Sequence, residues 1–278
     1  MDYRISTITS IAKLNCLINL QKMYDSIHIN KNGTIFYNTK DYSKIEKDII
    51  YIEYGKTKNI SNSKGINPKK SKKTTYKKKE KPSKRFDNQL TIILKVNNNN
   101  VNMKLFKNGR VQMTGLKIIN NGVIAIEFII DLIKNINEKF IDIEKNNLEY
   151  SNYKICLINS DFRFTSKIRR NKLFEFINNE TELICSYEPC IYPGVKIQFF
   201  YNKNTDGICR CEEGYCSNKN KKSTCVKVTI AIFESGCTII TGAKSIDQIN
   251  TSYKYIKELL SHNIQKFKKI DLEDYNYS

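Results

Sequence analysis

IFESGCTIITGAK, residues 232–244, and LFKNGRVQMTGLK, residues 105–117, decide the fold. The two stretches align without a gap. Phe233 meets Phe106, Gly236 meets Gly109, Thr241 meets Thr114, Gly242 meets Gly115 and Lys244 meets Lys117. Each reads as a strand ending in an aromatic residue, a turn at Ser235-Gly236 or Asn108-Gly109, a second strand, and a Thr-Gly exit into a helix. Asn-Gly between alternating apolar runs is the strongest short-range hairpin signal. Chance could match one Gly and one Lys. Five positions in register, carried by the same strand-turn-strand-helix grammar, argue for an internally duplicated fold.

Working outward, LTIILKV (90–96) and VNMKLF (101–106) are strands around a polar turn at Asn97–Asn100, and the first hairpin runs into a helix over 118–136. Ile126, Ile129, Ile130 and Ile133 repeat at helical spacing there. Upstream, 3–14 reads as a strand, Asn19 as the cap of a short helix over 20–27, and 33–37 and 49–54 as further strands. The second half repeats this order. A strand at 153–159 and a basic amphipathic helix at 166–177 come first, followed by strands split at Pro189 and Pro193. VKVTIAIF, the second hairpin and a last helix complete it, with Ser245 and Gln248 forming a capping box. The repeats therefore span 1–140 and 148–270. Antiparallel strands with helices gathered on one face make an α+β fold whose other sheet face is open.

Each repeat carries an insertion. The first, about 55–86, holds thirteen Lys or Arg between Lys56 and Arg85 against a single acid, Glu80, and reads as disordered. The second, 203–224, is rich in Cys and Lys and falls at the corresponding edge of its repeat. The formal net charge of +19 points to nucleic acid or another anionic surface. The most apolar run, Val123 to Ile133, is too short to span a bilayer and is broken by Glu127 and Asp131. No basic and apolar leader opens the chain, so a non-secreted protein is expected, working in a nucleus or a cytoplasmic viral replication compartment.

F-x-x-G-x-x-x-x-T-G-x-K in both repeats, YEPCIYPG at 187–194 and the tripeptide Lys84-Arg85-Phe86 resemble the TATA-box-binding protein (TBP) family. The composition fits a divergent relative from a large DNA virus. The resemblance implies a duplicated saddle, a curved antiparallel sheet with helices on its convex face. It implies binding and bending of A·T-rich promoter DNA through the minor groove, by the wedge insertion for which this family is itself the standard example. The wedges would be Phe106, Phe233, Tyr192 and Phe86. Thr114 and Thr241 would face the groove floor, and Lys117 and Lys244 would meet phosphates. Thr7 stands where the family has an Asn in the first strand, with Ile155 or Cys156 at the matching place in the second repeat. Lys95 replaces a family Arg whose second-repeat mate becomes Gln198. Glu188 matches an acid that receives transcription factor IIB, while its companion acid is replaced by Cys190. The implied partners are double-stranded DNA, a transcription factor IIB-like protein and RNA polymerase, with the chain a monomer on DNA and no membrane involved. The alternative is a TBP-like protein-interaction factor with weak or no promoter binding, which the lost Asn positions favour.

Cys209, Cys211, Cys216 and Cys225 form C-x-C-x4-C-x8-C, a set that could bind one zinc ion; the family resemblance itself requires no cofactor. Neither histidine, His28 or His262, lies in a metal-binding or catalytic pattern, and the chain has no phosphate-binding loop or nucleophile elbow. A binding protein is expected, not an enzyme.

Overall fold

The computed structural model describes residues 2–29, 35–37, 49–56, 61–68, 88–136, 141–143, 147–211 and 225–269. The chain divides into two compact units, one of Ile8–Cys156 and one of Met1–Thr7 with Leu157–Ser278. The units do not follow the repeat boundaries, because two long strands, β1 (Arg4–Leu14) and a later strand at Tyr150–Arg163, each contribute residues to both.

In the Ile8–Cys156 unit, β1 is followed by β2 (Cys16–Ile18), α1 (Leu20–Asp25), β3 (Ile27–Ile29), β4 (Ile35–Tyr37), β5 (Ile49–Lys56) and β6 (Ser61–Gly65). Then come β7 (Gln89–Val96), β8 (Asn99–Phe106), β9 (Arg110–Leu116), α2 (Asn120–Asn135) and β10 (Ile141–Ile143). The sheet runs β1-β9-β8-β7-β5-β4-β3, with β6 also on β5 and β2 paired separately with β10. Asn97 and Asn98 take positive φ, 46° and 62°, which is the two-residue turn whose twist suits a tight hairpin, so β8 begins already at Asn99. Asn19 caps α1 through its side chain, accepting from the Lys22 N–H at 3.1 Å. Ile126, Ile129, Ile130 and Ile133 of α2 are buried as the spacing requires.

The second unit holds β11 (Tyr150–Arg163), α3 (Arg170–Glu180), β12 (Ile184–Ser186), β13 (Val195–Tyr201), β14 (Val226–Ile232), β15 (Cys237–Ala243) and α4 (Ile246–Phe267). Its sheet order is β12-β13-β14-β15-β11. Ile249, Tyr253, Ile256 and Leu260 of α4 are buried. Burying each such side chain contributes about 1.5–3 kcal/mol. Ser245 caps α4, and Gln248 reaches back to the Lys244 N–H at 2.7 Å, one residue before the cap.

Three expectations are corrected. Residues 166–169 are not helical, and α3 starts only at Arg170. Ile168 donates to the Glu234 carbonyl at 2.8 Å and bridges Lys268, so its backbone groups are engaged outside a helix. The first insertion opens with β6, an ordered strand on β5, whose Lys64 ammonium donates to the Tyr24 and Ile27 carbonyls at 2.7 and 2.6 Å. The insertions also occupy different connections: the first joins β5 to β7, the second β13 to β14. Since Gln89 pairs with Phe106 while Tyr201 pairs with Val226, the first leaves its unit beside Phe106. The second leaves at the far end of the strand pair from Phe233.

Candidate nucleic-acid interface

Strand alternation assigns the faces. In β14 and β15, Val228, Ile230, Thr238, Ile240 and Ala243 are buried, on the side that α4 covers. The residues between them, Thr229, Phe233, Cys237, Ile239 and Thr241, point to the other side and are half-buried. Directly paired residues share a face, so Gln198 and Asp161 join them through Thr229 and Ile239. In the Ile8–Cys156 unit the same logic places Phe106, Lys104, Asn102, Gln112, Thr114 and Thr91 on its open face. Charge there is mostly positive, from Lys13, Lys95, Lys104 and Arg110. In the other unit the acid on this face, Asp161, is paired by Arg4 at 2.6 Å and receives the Ser6 hydroxyl.

Phe233 follows β14 directly and meets Tyr192, with ring centroids 5.7 Å apart and planes at 55°. The Lys196 ammonium sits 4.1 Å from the Tyr192 ring centroid. Gly194 lets the rings meet: a Cβ there would lie 3.0 Å from Tyr192 and 3.2 Å from Phe233. Arg170 holds the loop, donating to the Pro193 carbonyl at 2.6 Å and to Glu234 at 3.0 Å, while Lys269 meets Glu234 at 2.6 Å. Lys269 first and then Arg170 hold the Glu234 carboxyl below its ordinary value. Beside this platform Ile191 is 78% exposed, an apolar side chain that no sequence motif singles out.

Of the other expected site residues, Thr241 donates to Asn159 at 2.6 Å and Thr114 pairs with Asn102 across the sheet. Lys117 and Lys244 are exposed at the strand exits. Glu188 is exposed, and its carbonyl accepts from both Ile191 and Tyr192 at 2.9 Å. Phe86 and Cys216 lie outside the described residues. Cys209, Cys211 and Cys225 come together, their sulfurs all within 4.8 Å of one another.

Two repeat correspondences change. Matching the pairs Ile8–Leu116 and Ile158–Ala243 makes Leu157 the mate of Thr7, displacing Ile155 and Cys156. Matching Asn102–Thr114 with Thr229–Thr241 makes Ile93 the mate of Gln198, and Lys95 that of Phe200. Inserted residues in different connections shift the frame. The same comparison reveals Thr9 and Asn159, each at a register shift between residues 8 and 10 or 158 and 160. The extra residue of each bulge is on the partner strand, at Thr114-Gly115 or Thr241-Gly242, where the glycine takes positive φ; Thr9 and Asn159 face it, and a buried serine follows in both copies, Ser10 and Ser160. The Thr-Gly pair marks the bulge in both copies, but only the repeat alignment carried across whole strands identifies Thr9 and Asn159 as the residues opposite it.

Residues 153–263 match the family model described as transcription factor TFIID, or TATA-binding protein. A TATA-box-binding protein-like protein of Acanthamoeba polyphaga mimivirus is 29% identical over 290 residues, covering 98% of this chain and 68% of the relative. The chain is similar to TBP-like proteins, with the family model matching its second half. TATA-box-binding protein 2 of Entamoeba histolytica is 24% identical over 161 residues, 57% of the TBP-like chain and 58% of the amoebal one. The chain thus spans less than two thirds of the amoebal relative. Among solved structures, Methanococcus jannaschii TBP covers 94% of this chain and 97% of its own length at 19% identity and a TM-score of 0.46.

Proposed function

We propose that this TBP-like chain is a DNA-binding transcription initiation factor that binds A·T-rich promoter DNA through the minor groove and bends it. The observation that carries the reading is the Tyr192–Phe233 ring pair at the end of an open, polar sheet face, flanked by Lys196 and the exposed Ile191. Flat rings can enter a base step and replace lost stacking, which a flexible polar chain cannot. Unstacking costs on the order of a few kcal/mol per step and is offset by the larger surface that bent DNA contacts. Phe106 takes the same role in the other repeat, at the strand end that pairs with Gln89. Thr, Asn and Gln side chains on the open faces suit a groove that offers chiefly acceptors at A·T pairs. Lys117 and Lys244 supply phosphate contacts, and Glu188 offers an acidic surface to a transcription factor IIB-like partner. The role is binding, without catalysis.

The test compares wild type with a Phe106→Ala, Phe233→Ala double variant on A·T-rich and G·C-rich duplexes at fixed salt, reading affinity and bend angle together. Bending of A·T-rich DNA by wild type and its loss in the variant are expected. Binding without composition preference, without a bend and without response to the variant would overturn the reading and turn attention to protein partners.

A further inference from the structure

The second insertion folds back on the sheet before it leaves it. Phe200 donates to the Gly207 carbonyl at 2.9 Å, Asn202 donates to the Ile208 carbonyl at 2.7 Å, and Asp206 accepts from the Ile208 N–H at 3.0 Å. These contacts carry Cys209 and Cys211 to Cys225, the residue before β14. The three sulfurs lie within 4.8 Å of one another, and those of Cys211 and Cys225 are 3.7 Å apart. That separation is far beyond a disulfide bond of about 2.05 Å. It fits a tetrahedral zinc site, where Zn–S bonds of about 2.3 Å put neighbouring sulfurs about 3.8 Å apart. The Asn202 amide also lies 3.6 Å from the Cys225 sulfur, a donor placed to support a thiolate.

The geometry points to a structural Zn²⁺ site made by Cys209, Cys211 and Cys225. On binding, each thiol loses its proton to solvent, three Zn–S bonds form and a water molecule completes the tetrahedron. The ion clamps the two ends of the insertion together where Tyr201 pairs with Val226, so the β13–β14 pair is closed there as if by a short turn. The clamp lies a strand's length, about 20 Å, from Phe233. It is independent of the DNA-binding reading.

Full-length protein purified in reductant without chelator is analysed for bound metal, then stripped and titrated with Co²⁺. About one metal per chain and the intense visible bands of tetrahedral thiolate cobalt are expected. Cys211→Ser and Cys225→Ser are expected to weaken cobalt binding at least about tenfold, with Cys237→Ser unchanged. A second measurement, on wild type alone, alkylates the thiols with and without Zn²⁺ and reads the sites by peptide mass spectrometry. Protection of Cys209, Cys211 and Cys225 by the metal is expected. No metal and no cobalt bands, protection confined to other cysteines, or a Cys211–Cys225 disulfide persisting in reductant would overturn the site.

Discussion

Gly236→Ala tests how the platform residue Phe233 is held. Gly236 has φ +79°, and a Cβ there would lie 2.6 Å from the Phe164 carbonyl and 2.7 Å from that of Ser166. An alanine in the left-handed region costs about 1–2 kcal/mol. Relieving the overlap pushes the turn from the segment it is bonded to, through Phe164 N–H to Gly236 O at 3.0 Å and Ile168 N–H to Glu234 O at 2.8 Å. Losing both bonds adds about 0.5–1.5 kcal/mol each, so the total is about 3 kcal/mol. Gly109→Ala meets the same obstacle at the Leu14 and Cys16 carbonyls, and Leu14 and Ile18 make the matching bonds at 2.8 and 2.9 Å. Gly55→Ala is the comparison: φ is +63° but nothing lies within 4 Å, so only the backbone cost of about 1–2 kcal/mol is at stake. Urea unfolding of the three variants gives the ranking, and amide exchange at Phe164 and Ile168 localises the loss. Because two units can unfold separately, each transition is fitted on its own. Equal losses for Gly236→Ala and Gly55→Ala would refute the packing argument.

Three further outcomes are expected. The Glu234 carboxyl is held below its ordinary value, so its ion pairs with Lys269 and Arg170 persist to mild acid and are lost only as pH falls through that lowered value; NMR titration of Tyr192 and Phe233 ring shifts against pH should show no step above the ordinary glutamate range. Asn159→Ala removes the amide beside Thr241 and should lower A·T over G·C preference about fivefold, roughly 1 kcal/mol, with bending retained, as competition binding would show. Deleting 69–83, which spares the ordered β6 strand, should flatten the salt dependence of DNA affinity by about 0.9 for each phosphate that the deleted lysines neutralise, and leave site preference unchanged; a measured log–log salt slope equal to wild type would exclude phosphate binding by that stretch.

Periodicity made the hairpins and α2 and α4 readable. Their apolar spacing matched a one-sided core, and Asn19 and Ser245 stated their own helix starts. What misled was basic amphipathic spacing at 166–169, where long-range backbone bonds outweigh helix preference, and the Ser, Asn and Gly of 61–65 at the start of a Lys-rich insertion, where a strand forms on β5. The site was legible where motifs are local, as at Phe106, Phe233 and Tyr192. It was obscured where strand register matters: the mates of Thr7 and Gln198 depend on which residues oppose one another, and Asn159 is the residue of β11 that happens to face the Thr241-Gly242 bulge of β15. Ile191 was hidden for a different reason, since an isoleucine between prolines gives no hint that it will be left in solvent.

The two copies have kept what the backbone demands, together with Phe106/Phe233 and Thr114/Thr241, and changed other positions that face outward. Gly109 and Gly236 are pressed against carbonyls in the same way, and Ser10 and Ser160 are buried at the same register shift. Replacing either glycine would strain the strand-turn-strand frame itself. On the open faces no such constraint acts. Thr9 corresponds to Asn159, Ile93 to Gln198 and Asn102 to Thr229, an exchange of hydrogen-bonding capacity at every step. A duplicated frame with unlike outward chemistry would present different contacts to the two halves of a DNA site. On this reading, inverting an asymmetric A·T-rich site should invert the bound orientation, and a protein whose Thr9 and Asn159 were exchanged, T9N with N159T, should lose that preference while still bending DNA. Footprinting with a cleavage reagent attached at one unit measures the orientation directly. An orientation ratio unaffected by the exchange would place the discrimination elsewhere on the sheet.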